Sequence, residues 1–266
     1  MTLRRLAGQA ASFARRRPLS LIVALLVLAG SAAGWAAYDG WRTASLLRAD
    51  PDQLPAQASL TAFAVARGRA GFARYCASCH GRDGRGDPSA GVPNLTDHDW
   101  LYGDGKVSEI EGVVLYGVRA PNARTWKLAS MPAYARRTPY PPEPALQALS
   151  PGDIDDVIAF LFTIEGRQAA SHASRRGQAI FSGRGGCYDC HAPDAHGDPG
   201  VGAPNLADAI WLYGAGRPRD VFDSIAYGRA GVCPAWAGRL KPGLIREIAF
   251  FVHSLPTPTA SGGRPA

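Results

Sequence analysis

Residues 76–80 read CASCH and residues 187–191 read CYDCH. Both are Cys-x-x-Cys-His, the attachment pattern of c-type haem. The two thiols add across the haem vinyl groups, and the adjacent histidine is set on the proximal side of the iron. Cys76 and Cys79 are thus the expected tethers of one haem, with His80 as its axial ligand. Cys187, Cys190 and His191 are the expected set for a second. Four thiols in two pairs also suit one structural zinc, but that reading gives no reason for a histidine after each pair. A redox dithiol wants a thioredoxin-like βαβ context, which the flanking sequence lacks. A disulfide across so short a separation makes a poor loop staple.

Working outward, the two motifs mark a repeat. A constant offset of 111 residues takes Cys76 to Cys187, Pro93-Asn94-Leu95 to Pro204-Asn205-Leu206, and Trp100-Leu101-Tyr102-Gly103 to Trp211-Leu212-Tyr213-Gly214. It also takes Tyr116-Gly117 to Tyr227-Gly228. The offset then falls to 102, where Met131-Pro132-Ala133-Tyr134 matches Cys233-Pro234-Ala235-Trp236, so the second copy lacks nine residues before this motif. Each copy opens on a predicted helix in which a glycine precedes an aromatic by four (Gly68 and Phe72; Gly177 and Phe181), a spacing that lets another backbone approach closely. Each closes on an amphipathic helix, Ile154 to Ile164 after Ser150-Pro151-Gly152-Asp153, and Leu244 to Leu255 after Lys241-Pro242-Gly243. Between them the sequence predicts Gly- and Pro-rich loops with little strand pattern. The Pro139–Pro144 stretch reads as a rigid surface connector, and the small, basic stretch from Gly166 to Arg176 as a linker.

An axial histidine needs a partner on its second ring nitrogen. The Pro93 and Pro204 carbonyls, thirteen residues after each histidine, are the candidates. For the sixth ligand the copies differ. The chain has two methionines, Met1 and Met131, and Met131 follows His80 by 51 residues. The matching position holds Cys233, the one cysteine outside the attachment motifs. In chain order Met131 serves the first haem and Cys233 the second. A thioether raises a haem potential, and a thiolate stabilises ferric iron, so the first haem is expected to lie higher. His196 is too close to His191 to reach the opposite haem face and reads as a loop residue; His253 reads as solvated.

The formal charge is +7, but five arginines (Arg4, Arg5, Arg15, Arg16, Arg17) crowd the first 17 residues, and the remainder carries 24 basic against 22 acidic side chains. No folded basic face is implied, and with it no nucleic-acid partner. The arginines precede an apolar run from Leu19 to about Ala37, closed by Trp35 and Tyr38. Such a run just spans a hydrocarbon core as a helix, with its N-terminus inside. A cleaved signal peptide, with a site near Ser31-Ala32-Ala33, is the alternative. Either way the body is exported.

The phrases GVPNLTDHDWLYG (91–103) and GAPNLADAIWLYG (202–214), each after a Cys-x-x-Cys-His, resemble the di-haem subunit III of cbb3-type cytochrome c oxidases. YGRAGVCPAW (227–236) resembles that family's segment around its second methionine ligand. The resemblance covers residues 60 to 256 and departs from the family at Cys233, where the family has methionine, and in a shorter, simpler membrane segment. It implies a mainly α fold: two tandem class I cytochrome c domains after an N-terminal transmembrane helix. It also implies two covalently bound haem c, an inner-membrane anchor with the haem domains in the periplasm, and redox-protein donors and acceptors that include terminal oxidase subunits. The expected divisions are a basic leader (1–17), anchor (18–38), spacer (39–58), domain 1 (59–166), linker (167–176), domain 2 (177–257) and flexible tail (258–266). The expected function is electron relay without independent catalysis. The alternatives are a stand-alone carrier for a periplasmic dehydrogenase, or a thiosulfate dehydrogenase-like enzyme using a His/Cys haem.

Overall fold

The computed structural model describes residues 4–53, 56–140 and 143–255. Pro141, Pro142 and the 258–266 tail lie outside the described residues. The chain divides into two units between Ala49 and Asp50.

The first unit is one helix, α1 (Arg4–Arg48), of 45 residues, about 68 Å at 1.5 Å per residue. From Leu19 onward it is long and apolar enough to cross a membrane, with a mean hydropathy of 2.1. Leu21, Leu25, Leu28 and Trp35 are all more than half exposed, as on a helix that is apolar all round. Trp35, Tyr38 and Trp41 form a row of tilted rings with centroid separations of 6.3 and 6.2 Å. The helix runs ten residues beyond the expected anchor into the spacer. No proline lies between Asp39 and Arg48, and the next one after the apolar run is Pro51.

In the second unit each copy repeats one series. The first has α2 (Ala58–Tyr75), α3 (Ala77–His80), α4 (Val107–Tyr116) and α5 (Pro151–Ile164). The second has α6 (His172–Phe181), α7 (Tyr188–His191), α8 (Pro218–Tyr227) and α9 (Pro242–His253). α6 opens at His172, so the second half of the 167–176 stretch is helix rather than linker. The middle helices α4 and α8, read from sequence as loop, start in the same way. Glu109 accepts from the Asp104 and Lys106 amides (2.7 and 3.1 Å), and Asp220 from those of Ala215 and Arg217 (2.9 and 3.2 Å). A carboxylate at the third helical position thus satisfies amides that the helix leaves orphaned. The described ends of the expected Pro139–Pro144 connector are instead in two short antiparallel strands, β1 (Thr138–Tyr140) and β2 (Glu143–Leu146). This accounts for a second fall in the repeat offset, to 91 where Pro151 matches Pro242.

The helices do not pack copy by copy. α2 packs along α9, and α5 along α6, while α4 leans on α9 and α8 on α5. Each copy's closing half therefore folds against the opening half of the other. The two crossings are equivalent. A Cβ on Gly68 would collide with the Glu247 carbonyl of α9, and one on Gly177 with the Asp156 carbonyl of α5. Phe72 meets Phe251 at 5.2 Å and Phe181 meets Phe160 at 5.3 Å. The Arg67 guanidinium reaches the buried Glu247 (2.8 Å), as Arg176 reaches Asp156 (2.6 Å). The α5–α6 side builds the larger core, with Ile154, Val157, Leu161, Phe181, Val221 and Ile225 all buried.

Two outcomes follow from this packing. Gly68→Ala should destabilise the protein by about 1–3 kcal/mol through overpacking in denaturant unfolding. Gly112→Ala, on α4 with open space around its Cα, should instead stabilise by about 0.5–1 kcal/mol. The Arg184 guanidinium and the Ser150 hydroxyl hold the Asp153 carboxyl down to about 2. Because that lies below its unfolded value of about 3.9, its stabilisation is present above pH ~4 and lost as pH falls towards 2. Asp153→Asn should lower the melting temperature at pH 7 and flatten its dependence across that acid window.

Candidate haem sites

α3 and α7 are single turns, each ending on its motif histidine. The His80 amide bonds the Cys76 carbonyl and the His191 amide the Cys187 carbonyl, both at 3.0 Å. This i, i+4 closure puts the first thiol and the imidazole of each motif on one face. The chain leaves the first turn through Gly81 (φ 75°) and the second through Ala192 (φ 63°). Ala195 (φ 63°) likewise stands where the first copy has Gly84. Left-handed alanines are strained by about 1–2 kcal/mol each.

The expected carbonyl partners are in place. His80 Nδ1 lies 3.3 Å from the Pro93 oxygen, and His191 Nδ1 lies 3.0 Å from the Pro204 oxygen. A carbonyl only accepts, so Nδ1 carries the proton in each ring. Nε2 is left with its lone pair, the tautomer a metal ligand requires. Burial pushes both histidines down in pKa, and the carbonyl bonds oppose it, so the rings are neutral at pH 7. His196 is an exposed loop residue close to the Asp194 carbonyl. His253, expected in solvent, is partly buried, 2.8 Å from the Gly105 carbonyl.

The two remaining candidate ligands are exchanged relative to chain order. Cys233 pairs with Val118, the residue after the first copy's α4–Gly117 corner, through amide–carbonyl bonds of 2.9 and 3.0 Å. The Trp236 amide reaches the Val114 carbonyl (3.1 Å), and its ring stands edge-on to Tyr75, next to Cys76, at 5.3 Å. Met131 pairs in the same way with Arg229 (2.9 and 3.2 Å). The Tyr134 amide bonds the Ile225 carbonyl (3.0 Å), and its hydroxyl donates to the carbonyl of Gly185, two residues before Cys187 (2.6 Å). Met131 and Cys187 thus pack against the same core, and Cys233 lies near Cys76 and Cys79. Chain order predicts Met131 beside the first thiol pair; the structure sets Cys233 there instead, because each closing half crosses over. Burial pushes the Cys233 thiol up to about 11. Only a metal cation beside it would make it a thiolate at neutral pH.

All eight thiol, thioether and imidazole side chains line one continuous, largely apolar cavity. Its empty volume, open mouth included, is about 2550 Å³. Two aromatic wedges shape its middle. Tyr102 lies against Gly202 and Tyr213 against Gly91, where in each case a Cβ would enter the ring. The loops are stitched by Gly103 N–H to the Pro199 carbonyl (3.2 Å) and Gly214 N–H to the Pro88 carbonyl (2.9 Å). The buried Tyr102 hydroxyl has no hydrogen-bond partner among the described residues. That orphan, facing a cavity with two thiol pairs, fits an acidic, flat, largely apolar prosthetic group. Among the described residues no cluster of three or more His, Cys, Asp or Glu could hold a bare metal ion.

Residues 65–165 match the family model for cytochrome c. The chain is 37% identical over 219 residues to the cbb3-type cytochrome c oxidase subunit FixP of Bradyrhizobium sp. (strain ORS 278), covering 81% of this chain and 69% of that protein. It is 36% identical over 218 residues to the cbb3-type cytochrome c oxidase subunit CcoP of Rhodobacter capsulatus, covering 79% and 68%. This chain belongs to the FixP/CcoP family. As a FixP/CcoP-type chain it is a c-type cytochrome with an N-terminal apolar helix, and its prosthetic group is covalently bound haem c. The cytochrome c match runs through α5 as though the first copy closed on itself, because a comparison in chain order does not register the crossing.

Since the Tyr134 hydroxyl bonds a loop of the opposite copy, Tyr134→Phe leaves the buried Gly185 carbonyl unpaired. It should cost about 1–3 kcal/mol in thermal or denaturant unfolding.

Proposed function

We propose that the chain holds two haems and relays electrons on the periplasmic side of the bacterial inner membrane, as the di-haem subunit of a cbb3-type oxidase. The observation that carries this reading is the single apolar cavity lined by both Cys-x-x-Cys-His motifs and by two further sulfur ligands. Residues 1–17 are its cytoplasmic leader and 18–38 the core of its single-pass anchor, with Arg4, Arg5 and Arg15–Arg17 on the inner side. Residues 59–166 and 177–257 are the two cytochrome repeats, each completed by the closing half of the other. The partners are redox proteins, a donor and the oxidase's own subunits, as the relatives' names indicate.

Bound haem c supplies reversible one-electron exchange at its iron. Cys76 and Cys79 would tether the first haem, with His80 and Cys233 the residues that would hold its iron. Cys187 and Cys190 would tether the second, with His191 and Met131. The Pro93 and Pro204 carbonyls keep the imidazoles in the ligating tautomer. Ligated by these four side chains, the irons would leave no position for a substrate, so the chain would carry electrons and perform no chemistry of its own. The apolar walls exclude water and keep reorganisation small. Thiolate ligation favours ferric iron and thioether ligation ferrous, so the first haem is the lower in potential.

A Cys76→Ser/Cys79→Ser variant tests this. The unaltered protein should show two haems per chain by mass and by pyridine haemochrome, and the variant one. The remaining haem should keep the near-infrared absorption of methionine-ligated ferric haem. A remaining haem with a thiolate signature contradicts the pairing, and one haem in the unaltered protein contradicts the count. Cys233→Met should raise the lower midpoint potential and leave the upper one in place; two unmoved midpoints would show that Cys233 is not a ligand.

A further inference from the structure

One side chain contacts both sixth-ligand loops, and the relay described above gives it no part. Arg119 follows Val118, the residue paired with Cys233. Its Nε donates to the carbonyl of Gly231 (2.6 Å) and its Nη1 to the carbonyl of Ala129 (2.8 Å). Gly231 stands two residues before Cys233, and Ala129 two residues before Met131. A single guanidinium therefore bridges the two loops, at the same distance along the chain from each ligand. Its planar fork suits two carbonyls at once, where an ammonium would present a point charge. Hydrogen bonds from a charged donor are about twice as strong as neutral ones.

Three further observations single Arg119 out. It has a left-handed backbone, with φ 49°, a conformation that costs a non-glycine residue about 1–3 kcal/mol and persists only where the surroundings over-determine it. Its amide is held by the Trp126 carbonyl (2.8 Å), which fixes the root of the side chain. It also breaks the repeat. The 111-residue offset puts Ala230 at the matching position, so the bridge occurs once although the loops occur twice.

We infer that Arg119 is a positioning residue that clamps the Met131 and Cys233 loops together, so that the two sixth ligands stay on their irons, or leave them, as a coupled pair. The inference rests on the ligand assignment proposed above. Ligands bound to iron through short, loop-borne side chains are held only as well as their loops are. Removing the clamp should loosen both sites from a distance, though Arg119 ligates neither iron.

Arg119→Gly is the informative variant, since glycine accepts the left-handed backbone without strain and removes only the bridge. Cyanide binding to the full-length ferric holoprotein, followed by stopped-flow absorbance, reads how often each sixth position opens. The unaltered protein should bind cyanide slowly in two phases, one for each haem. In Arg119→Gly both phases should accelerate at least ten-fold. Asp153→Asn, which destabilises the fold without touching either loop, should leave both rates unchanged. Acceleration of one phase alone, of neither, or of both to the same extent in Asp153→Asn overturns the clamp. Fast cyanide binding by the unaltered protein instead overturns the ligand assignment, and the clamp with it.

Discussion

The arrangement of this cytochrome depends on the short connection from Glu165 to Ser171. α5 ends at Ile164 and α6 begins at His172, and helices joined by so few residues pack as antiparallel neighbours. The connection is fixed at both ends. Gly166 takes a left-handed turn (φ 80°), with the Arg167 amide returning to the Phe162 carbonyl (2.8 Å). Ser171 caps α6 through the Ser174 amide (3.0 Å). With α5 claimed by α6, the opening helix α2 has no closing helix of its own, and α9 fills that place.

The exchange makes the second unit a pair of interlocked halves rather than two beads on a string. Contacts across the middle occur in equivalent pairs, Tyr102 with Gly202 and Tyr213 with Gly91, or Val118 with Cys233 and Arg229 with Met131. This is the logic of a two-fold interface between identical subunits, written here within one chain. Its functional consequence is the undivided cavity. Both attachment motifs face it with no domain boundary between them, so under the proposed assignment transfer between the sites does not wait on domain motion.

Much of this was legible in the sequence, and the rest was not, for definable reasons. The attachment motifs, the repeat, the histidine–proline pairs and the close-approach glycines Gly68 and Gly177 are local patterns, and the structure bears out their geometry. The middle helices α4 and α8 are short. Their start signals, Glu109 and Asp220, lie among glycines that read as loop. The anchor helix runs on to Arg48 because no proline interrupts the stretch from Leu19 to Asp50. The crossing could not be read from the repeat at all. A duplicated unit presents the same apolar faces whether its closing helix folds onto its own copy or onto the other, and only the brevity of the α5–α6 connection separates the two. Sequence order therefore places Met131 and Cys233 in the opposite halves from those in which the structure sets them.

The crossing itself is most directly tested by double-mutant cycles on the helix-crossing aromatics. By the repeat offset Phe251 and Phe160 are equivalent, so Phe72 has one partner if the copies are exchanged and the other if they are not. Truncating each to leucine, alone and in pairs, should give coupling energies of about 0.5–1.5 kcal/mol for Phe72 with Phe251 and for Phe181 with Phe160. Phe72 with Phe160 should be additive. Coupling of Phe72 to Phe160, with none to Phe251, would contradict the exchange and the ligand pairing built on it.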